Sequence, residues 1–127
     1  MAPGGIPTIS PRDAAAATGS SDPSGADDPA GRPLIVDVRE PNEFASERIE
    51  GSVLIPLSQF ADRHGELPKD RPLVMQCHSG SRSSSATMFL LGRGWTDVRN
   101  LDGGIAAWMR DGLPVRTGAP EPGEGEL

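Results

Sequence analysis

The 127-residue chain has a single cysteine, and aromatic side chains make up only 4% of it. One thiol excludes a disulfide within the chain. Scarce aromatics leave the core to Leu, Ile, Val, Ala and Met. No run approaches the roughly 18 apolar residues of a membrane-spanning helix, and the start shows no positively charged leader followed by an apolar stretch. No stripe of Lys and Arg marks a face for nucleic acid or an anionic membrane. The expectation is a small monomeric domain in a reducing, cytoplasmic setting, with neither nucleic acid nor membrane as partner.

Glycine and proline are plentiful, with 16 and 13 copies, and they gather toward the two ends. Charge is uneven in the same way. Of the net −6, residues 1–30 carry −3 and residues 116–127 carry −2, so the centre is almost neutral. This pattern predicts one domain over residues 9–115. A flexible segment at 1–8 precedes it and a flexible, solvating acidic tail at 116–127 follows it. Residues 18–33 are rich in Ser, Asp, Pro, Gly and Ala without hydrophobic period, and read as a flexible surface insertion.

Between these segments, short apolar runs alternate with helical patterns. Strands are expected at 6–9, 34–38, 53–55, 73–76 and 98–101. Helices are expected at 12–17, after a Ser10 cap and Pro11, and at 41–48, 57–63, 84–93 and 105–110. Gly94 reads as a helix terminator with Trp95 packed behind it. The alternation predicts an α/β sandwich of three layers, with a mostly parallel central sheet of about five strands flanked by helices. Such sheets bind ligands at the carboxyl ends of their strands.

Cys77 stands at one of those ends, between the 73–76 strand and the next helix. The stretch Cys77-His78-Ser79-Gly80-Ser81-Arg82-Ser83 is polar and turns at a glycine. A helix start favours negative charge, so it favours thiolate over thiol. Backbone N–H groups from His78 to Ser83 can form a nest around the sulfur and a bound oxyanion. Gly80 supplies the positive φ such a curl needs. His78 and Arg82 are candidates to attract an anion. Alternatively Arg82 braces the loop through carbonyl oxygens or Asp37, and His78 is a plain exposed residue. Asp37 and Arg39 read as supporting residues, with Asp37 orienting the loop and Arg39 pairing with Glu43 four residues on. His64 reads as exposed beside a glycine turn, and Trp95 and Trp108 as packing anchors.

These blocks resemble the rhodanese family. Residues 34–44 resemble its opening signature, 50–57 its second block, 77–83 its active-site loop, and 100–108 with 112–115 its C-terminal signature. Two departures are visible: residues 18–33 are longer than the family's usual link, and where the family usually carries a histidine before Glu50-Gly51, this chain has Glu47-Arg48-Ile49. The resemblance implies sulfurtransferase chemistry through a persulfide on Cys77, with residues 78–83 binding the donor. The donor is then a small sulfur-containing anion such as thiosulfate, or a persulfide. The acceptor is cyanide or a thiol, and no cofactor or metal is called for.

Three rival readings accompany it. The protein is a persulfide carrier, exchanging sulfur with a donating or accepting protein in a biosynthetic pathway. Or it is a rhodanese-fold phosphatase or arsenate reductase; that pattern resembles Cys, five residues, Arg, whereas four residues separate Cys77 from Arg82. Or it is a non-catalytic binding module, against which the intact cysteine loop weighs.

Overall fold

The computed structural model describes residues 5–18 and 32–127. Most of the insertion read at 18–33 therefore lies outside the described residues. Five short strands form one parallel sheet in the order β1-β6-β5-β2-β4: β1 is Thr8–Ile9, β2 Leu34–Asp37, β4 Val53–Leu54, β5 Leu73–Gln76 and β6 Val98–Leu101. A separate antiparallel pair joins β3 (Glu47–Arg48) to β7 (Arg116–Thr117). The helices are α1 (Pro11–Ala17), α2 (Pro41–Ser46), α3 (Leu57–Arg63), α4 (Ser81–Leu91) and α5 (Gly104–Arg110).

The strand period of two sorts side chains into the layers. Leu34, Val36, Leu73 and Met75 point to one face, where Phe60 of α3 and Ala86 and Leu90 of α4 cover them. Ile35, Val74 and Leu101 point to the other, under Ala14 and Ala15 of α1 and Ile105 and Trp108 of α5. Both faces are covered, so the strands read as continuous apolar runs. Each fully buried Leu, Ile or Phe contributes about 1.5–3 kcal/mol to this packing. Trp95 and Trp108 serve as anchors, with their ring N–H groups donating to the carbonyls of Pro68 (3.0 Å) and Pro114 (2.8 Å).

Local signals explain the helix ends. The Ser10 hydroxyl accepts from Asp13 N–H at 3.1 Å, and Pro11 opens α1. Past α4, Gly94 takes φ +98°, which lets the Trp95 N–H return to the Leu90 carbonyl at 3.2 Å.

Several expectations need correction. The helix expected over 41–48 stops at Ser46, and Glu47 and Arg48 become β3. Helix α4 begins at Ser81 rather than at residue 84, because Gly80 at φ +106° already turns the chain into it. Thr8, placed both in the leading segment 1–8 and in the strand expected at 6–9, belongs to the strand: it is in register with Asn100, and the Pro7 carbonyl accepts from Asn100 N–H at 2.9 Å. His64, read as exposed, is half-buried and meets the rings of Phe89 and Trp95 edge-on.

The largest correction concerns residues 116–127, read as a solvating tail. They fold back on the domain. Arg116 and Thr117 form β7, the Gly125 carbonyl accepts from Leu54 N–H at 2.8 Å, and Glu124 pairs with Arg48 at 2.6 Å. The returning chain covers the free edge of β4, a place where an unpaired strand would otherwise invite association.

Candidate functional site

Strand β5 delivers Cys77 to the carboxyl edge of the sheet, beside the end of β2 and the turn after β6. The residue is 1% exposed. Its sulfur accepts a hydrogen bond from Gly80 N–H at 3.1 Å, and the Ser83 hydroxyl lies 3.3 Å away. Burial alone pushes the Cys77 thiol up. The Ser83 hydroxyl and the N–H groups of Ser83, Gly80 and Ser79 outweigh burial and hold it below the ordinary thiol value. Of the N–H groups from His78 to Ser83, that of Gly80 makes a hydrogen bond to the sulfur. His78, Ser79 and Ser81 are exposed, whereas Gly80 and Ser83 are buried.

The loop's carbonyls face the other way, toward α5. The Ile105 N–H donates to the Cys77 carbonyl at 2.9 Å, and the Ala106 N–H to that of His78 at 3.0 Å. These are N–H groups at a helix start, which have no partner in their own helix. So α5 completes its first turn by gripping the cysteine loop. The approach requires Gly104: a Cβ there would lie 2.6 Å from the Cys77 carbonyl oxygen and closer still to that of His78. The backbone at Gly104 also has φ +63°. Asp102-Gly103-Gly104, legible only as a turn, is therefore a close-contact element of the site.

Two residues that the sequence reading did not place at the site belong to it: Asn100, given no role, and Glu43, expected as the partner of Arg39. Asn100, at the end of β6, donates from Nδ2 to the Gly80 carbonyl at 3.1 Å and accepts the Ser83 hydroxyl at Oδ1 at 2.6 Å. A polar side chain on the same strand face as Val98, at the strand's carboxyl end, was the available signal. Glu43 of α2 holds Arg82 end-on, with Nη1–Oε1 2.8 Å and Nη2–Oε2 3.0 Å. The Arg82 guanidinium holds the Glu43 carboxyl down at about 2. The partner of Arg82 is thus Glu43, neither Asp37 nor a loop carbonyl.

The supporting pair also differs from expectation. Arg39 does not pair with Glu43. It doubles back onto Asp37, with Nη2–Oδ2 2.8 Å and Nε–Oδ1 3.0 Å, and both side chains are buried. Arg39 Nη2 also donates to the Glu47 carbonyl at 2.7 Å. The pair therefore fastens the end of β2 to β3, and both Asp37 carboxylate oxygens accept from Arg39. Burial raises the Asp37 carboxyl despite the hydrogen bonds and charge of Arg39. Among the described residues, no three His, Cys, Asp or Glu side chains cluster as a metal site requires.

The architecture is that of a doubly covered parallel α/β sheet presenting one hydrogen-bonded cysteine at a strand-to-helix turn. Residues 22–111 match the family model of the rhodanese-like domain, and the chain belongs to that family. It is 44% identical over 82 residues to a sulfurtransferase of Allochromatium vinosum, spanning 65% of this chain and 77% of that protein. It is 41% identical over 75 residues to the thiosulfate sulfurtransferase GlpE of Pseudomonas syringae, spanning 59% and 71%. Among solved structures, a rhodanese-related protein of Thermoplasma volcanium superposes with a TM-score of 0.70 at 28% identity, covering 87% of this chain and 97% of that one.

Proposed function

We propose that the protein is a sulfurtransferase that carries sulfur on Cys77. The Cys77 thiolate attacks the outer sulfur of thiosulfate or of a persulfide. The donor S–S bond breaks, sulfite or a thiolate leaves with the electron pair, and Cys77 is left as a persulfide. A thiolate or cyanide then attacks the outer sulfur, and the Cys77 thiolate departs as leaving group. A stabilised thiolate serves both half-reactions, as nucleophile in the first and as leaving group in the second.

The observation that carries this reading is the pair of donors on the sulfur of the sole cysteine, the Gly80 N–H at 3.1 Å and the Ser83 hydroxyl at 3.3 Å. The activities named for the two bacterial relatives support it. The pairing of Arg82 with Glu43 favours a persulfide over dianionic thiosulfate as donor, because the carboxylate offsets the loop's positive charge. The same pairing, with only four residues between Cys77 and Arg82, weighs against phosphoryl chemistry, which needs that guanidinium on the anion.

Intact-protein mass spectrometry tests the proposal. After brief treatment with thiosulfate or a low-molecular persulfide, the protein gains one sulfur atom, and cyanide removes it as thiocyanate. Cys77→Ala gains none. Folded, reduced protein that takes up sulfur from neither donor overturns the reading.

A further inference from the structure

We propose that Asn100 is a positioning residue that competes with Cys77 for the single hydroxyl proton of Ser83. The orientation of the Asn100 amide is fixed by what surrounds it. The Gly80 carbonyl can only accept, so the amide presents its NH2 group there, at 3.1 Å. Its oxygen therefore faces Ser83, at 2.6 Å, and an amide oxygen likewise only accepts. Ser83 has one proton, and the Cys77 sulfur stands 3.3 Å from the same oxygen. Both acceptors lie within hydrogen-bond reach of it, and 2.6 Å is short for an O–H···O bond, so Asn100 has a strong claim on it.

The direction of that proton follows the charge on sulfur. While it points to Asn100, Ser83 offers Cys77 a lone pair, which suits an S–H donor. A thiolate needs the reverse, a proton turned toward sulfur. The Asn100 oxygen, itself buried, then loses its donor. The backbone N–H groups have no such choice, so Ser83 is the adjustable ligand of the sulfur and Asn100 its counterweight. In the sulfur-transfer reading, on which this consequence rests, the hydroxyl turns to Cys77 in the empty thiolate and returns to Asn100 once the sulfur is capped as a persulfide.

Other charges near the loop are Arg82 with its partner Glu43, the buried Asp37–Arg39 pair, His78 of the loop itself and the exposed Asp102 of the β6–α5 turn. None of them is altered by the variants below, so their contribution is common to all.

The chain makes the test clean. It has one cysteine and no tyrosine, so the ultraviolet absorbance of thiolate against pH reports Cys77 alone. Asn100→Ala frees the Ser83 proton and lowers the titration midpoint by about one pH unit; Ser83→Ala raises it by about one. In the Ser83→Ala background, Asn100→Ala changes nothing. An Asn100→Ala shift of equal size in both backgrounds, or an upward shift with Ser83 present, overturns the proposal, because Asn100 then acts through the Gly80 carbonyl. Should circular dichroism show Asn100→Ala unfolded, Asn100→Asp replaces it. A carboxylate draws the Ser83 proton harder, so it raises the midpoint more with Ser83 present than with Ala there; an equal rise overturns the proposal.

Sulfur loading is read separately. Midpoints that move as expected in protein that never loads sulfur leave the competition standing and remove the sulfur-transfer reading. Loading by protein whose midpoint ignores Asn100 does the reverse.

Discussion

Residues 77–83 and residues 116–127 are both short and polar, and each is organised around one charged or ionisable group. In the first, the Gly80 N–H and the Ser83 hydroxyl meet the Cys77 sulfur. In the second, carbonyls and a carboxylate gather around the Arg48 guanidinium. Nε and Nη2 donate to Glu124 at 2.6 and 2.9 Å, and Nη1 to the Gly118 carbonyl at 2.6 Å. The difference is range. The ligands of the sulfur lie within six positions of it along the chain, whereas those of Arg48 in the returning segment lie 70 and 76 positions away. A local constellation is written in consecutive residues. A distant one becomes a constellation only once the sheet has placed its two halves together.

Breaking each region separately sharpens the contrast. The largest effect is expected for Gly104→Ala, which puts a methyl group into the cysteine loop's carbonyls. The positive φ alone costs about 1–2 kcal/mol. Denaturant midpoints fall by more than that, and sulfur loading of Cys77 falls with them. Arg48→Ala attacks the other region. It removes the donor shared by Glu124, Gly118 and Phe44 and lowers the thermal midpoint by about 5 °C or more, while the folded fraction still loads sulfur. Loss of loading without loss of stability contradicts the separation of the two regions.

A smaller effect follows from acid. Arg48 holds the Glu124 carboxyl at about 2, below its unfolded value near 4.3. A depressed carboxyl stabilises the fold above the unfolded value, and that contribution disappears as pH falls toward 2. Glu124→Gln therefore loses stability less steeply between about pH 4.5 and 2 than the parent does. Glu43, also held at about 2, retains part of the slope, and adding Glu43→Gln flattens it further. Equal slopes in all three proteins contradict these pairings. The smallest effect concerns donor choice. Arg82→Ala raises the KM for thiosulfate a few-fold, roughly, and Glu43→Gln lowers it, with little change for a neutral persulfide. Shifts in the same direction make the pair a brace alone.

Much of the architecture was legible because its signals are local. The bounds of α3, β5 and β6 coincide with the runs at 57–63, 73–76 and 98–101. Cys77 and Gly80 were legible for the same reason: a lone thiol and a glycine at a strand-to-helix turn declare their geometry. Arg39 shows where such reading stops. Spacing offered Glu43 four residues on, but residues 37–40 are not helical, so the spacing had no helix to act on, and Arg39 bends back to Asp37. Asn100, Glu43 and Glu124 act across the fold on partners 17, 39 and 76 positions away. Arg48 stands in the block where the family usually carries a histidine, and its partners make that departure intelligible: a long, forked cation reaches the returning chain.

The near-complete burial of Cys77 has a consequence for molecular traffic. At 1% exposure, Cys77 is almost wholly covered by its surroundings. A sulfur bonded to it stands about 2 Å further out, one S–S bond length. In the proposed sulfur transfer, the transferred sulfur is therefore met at a shallower depth than the bare thiolate.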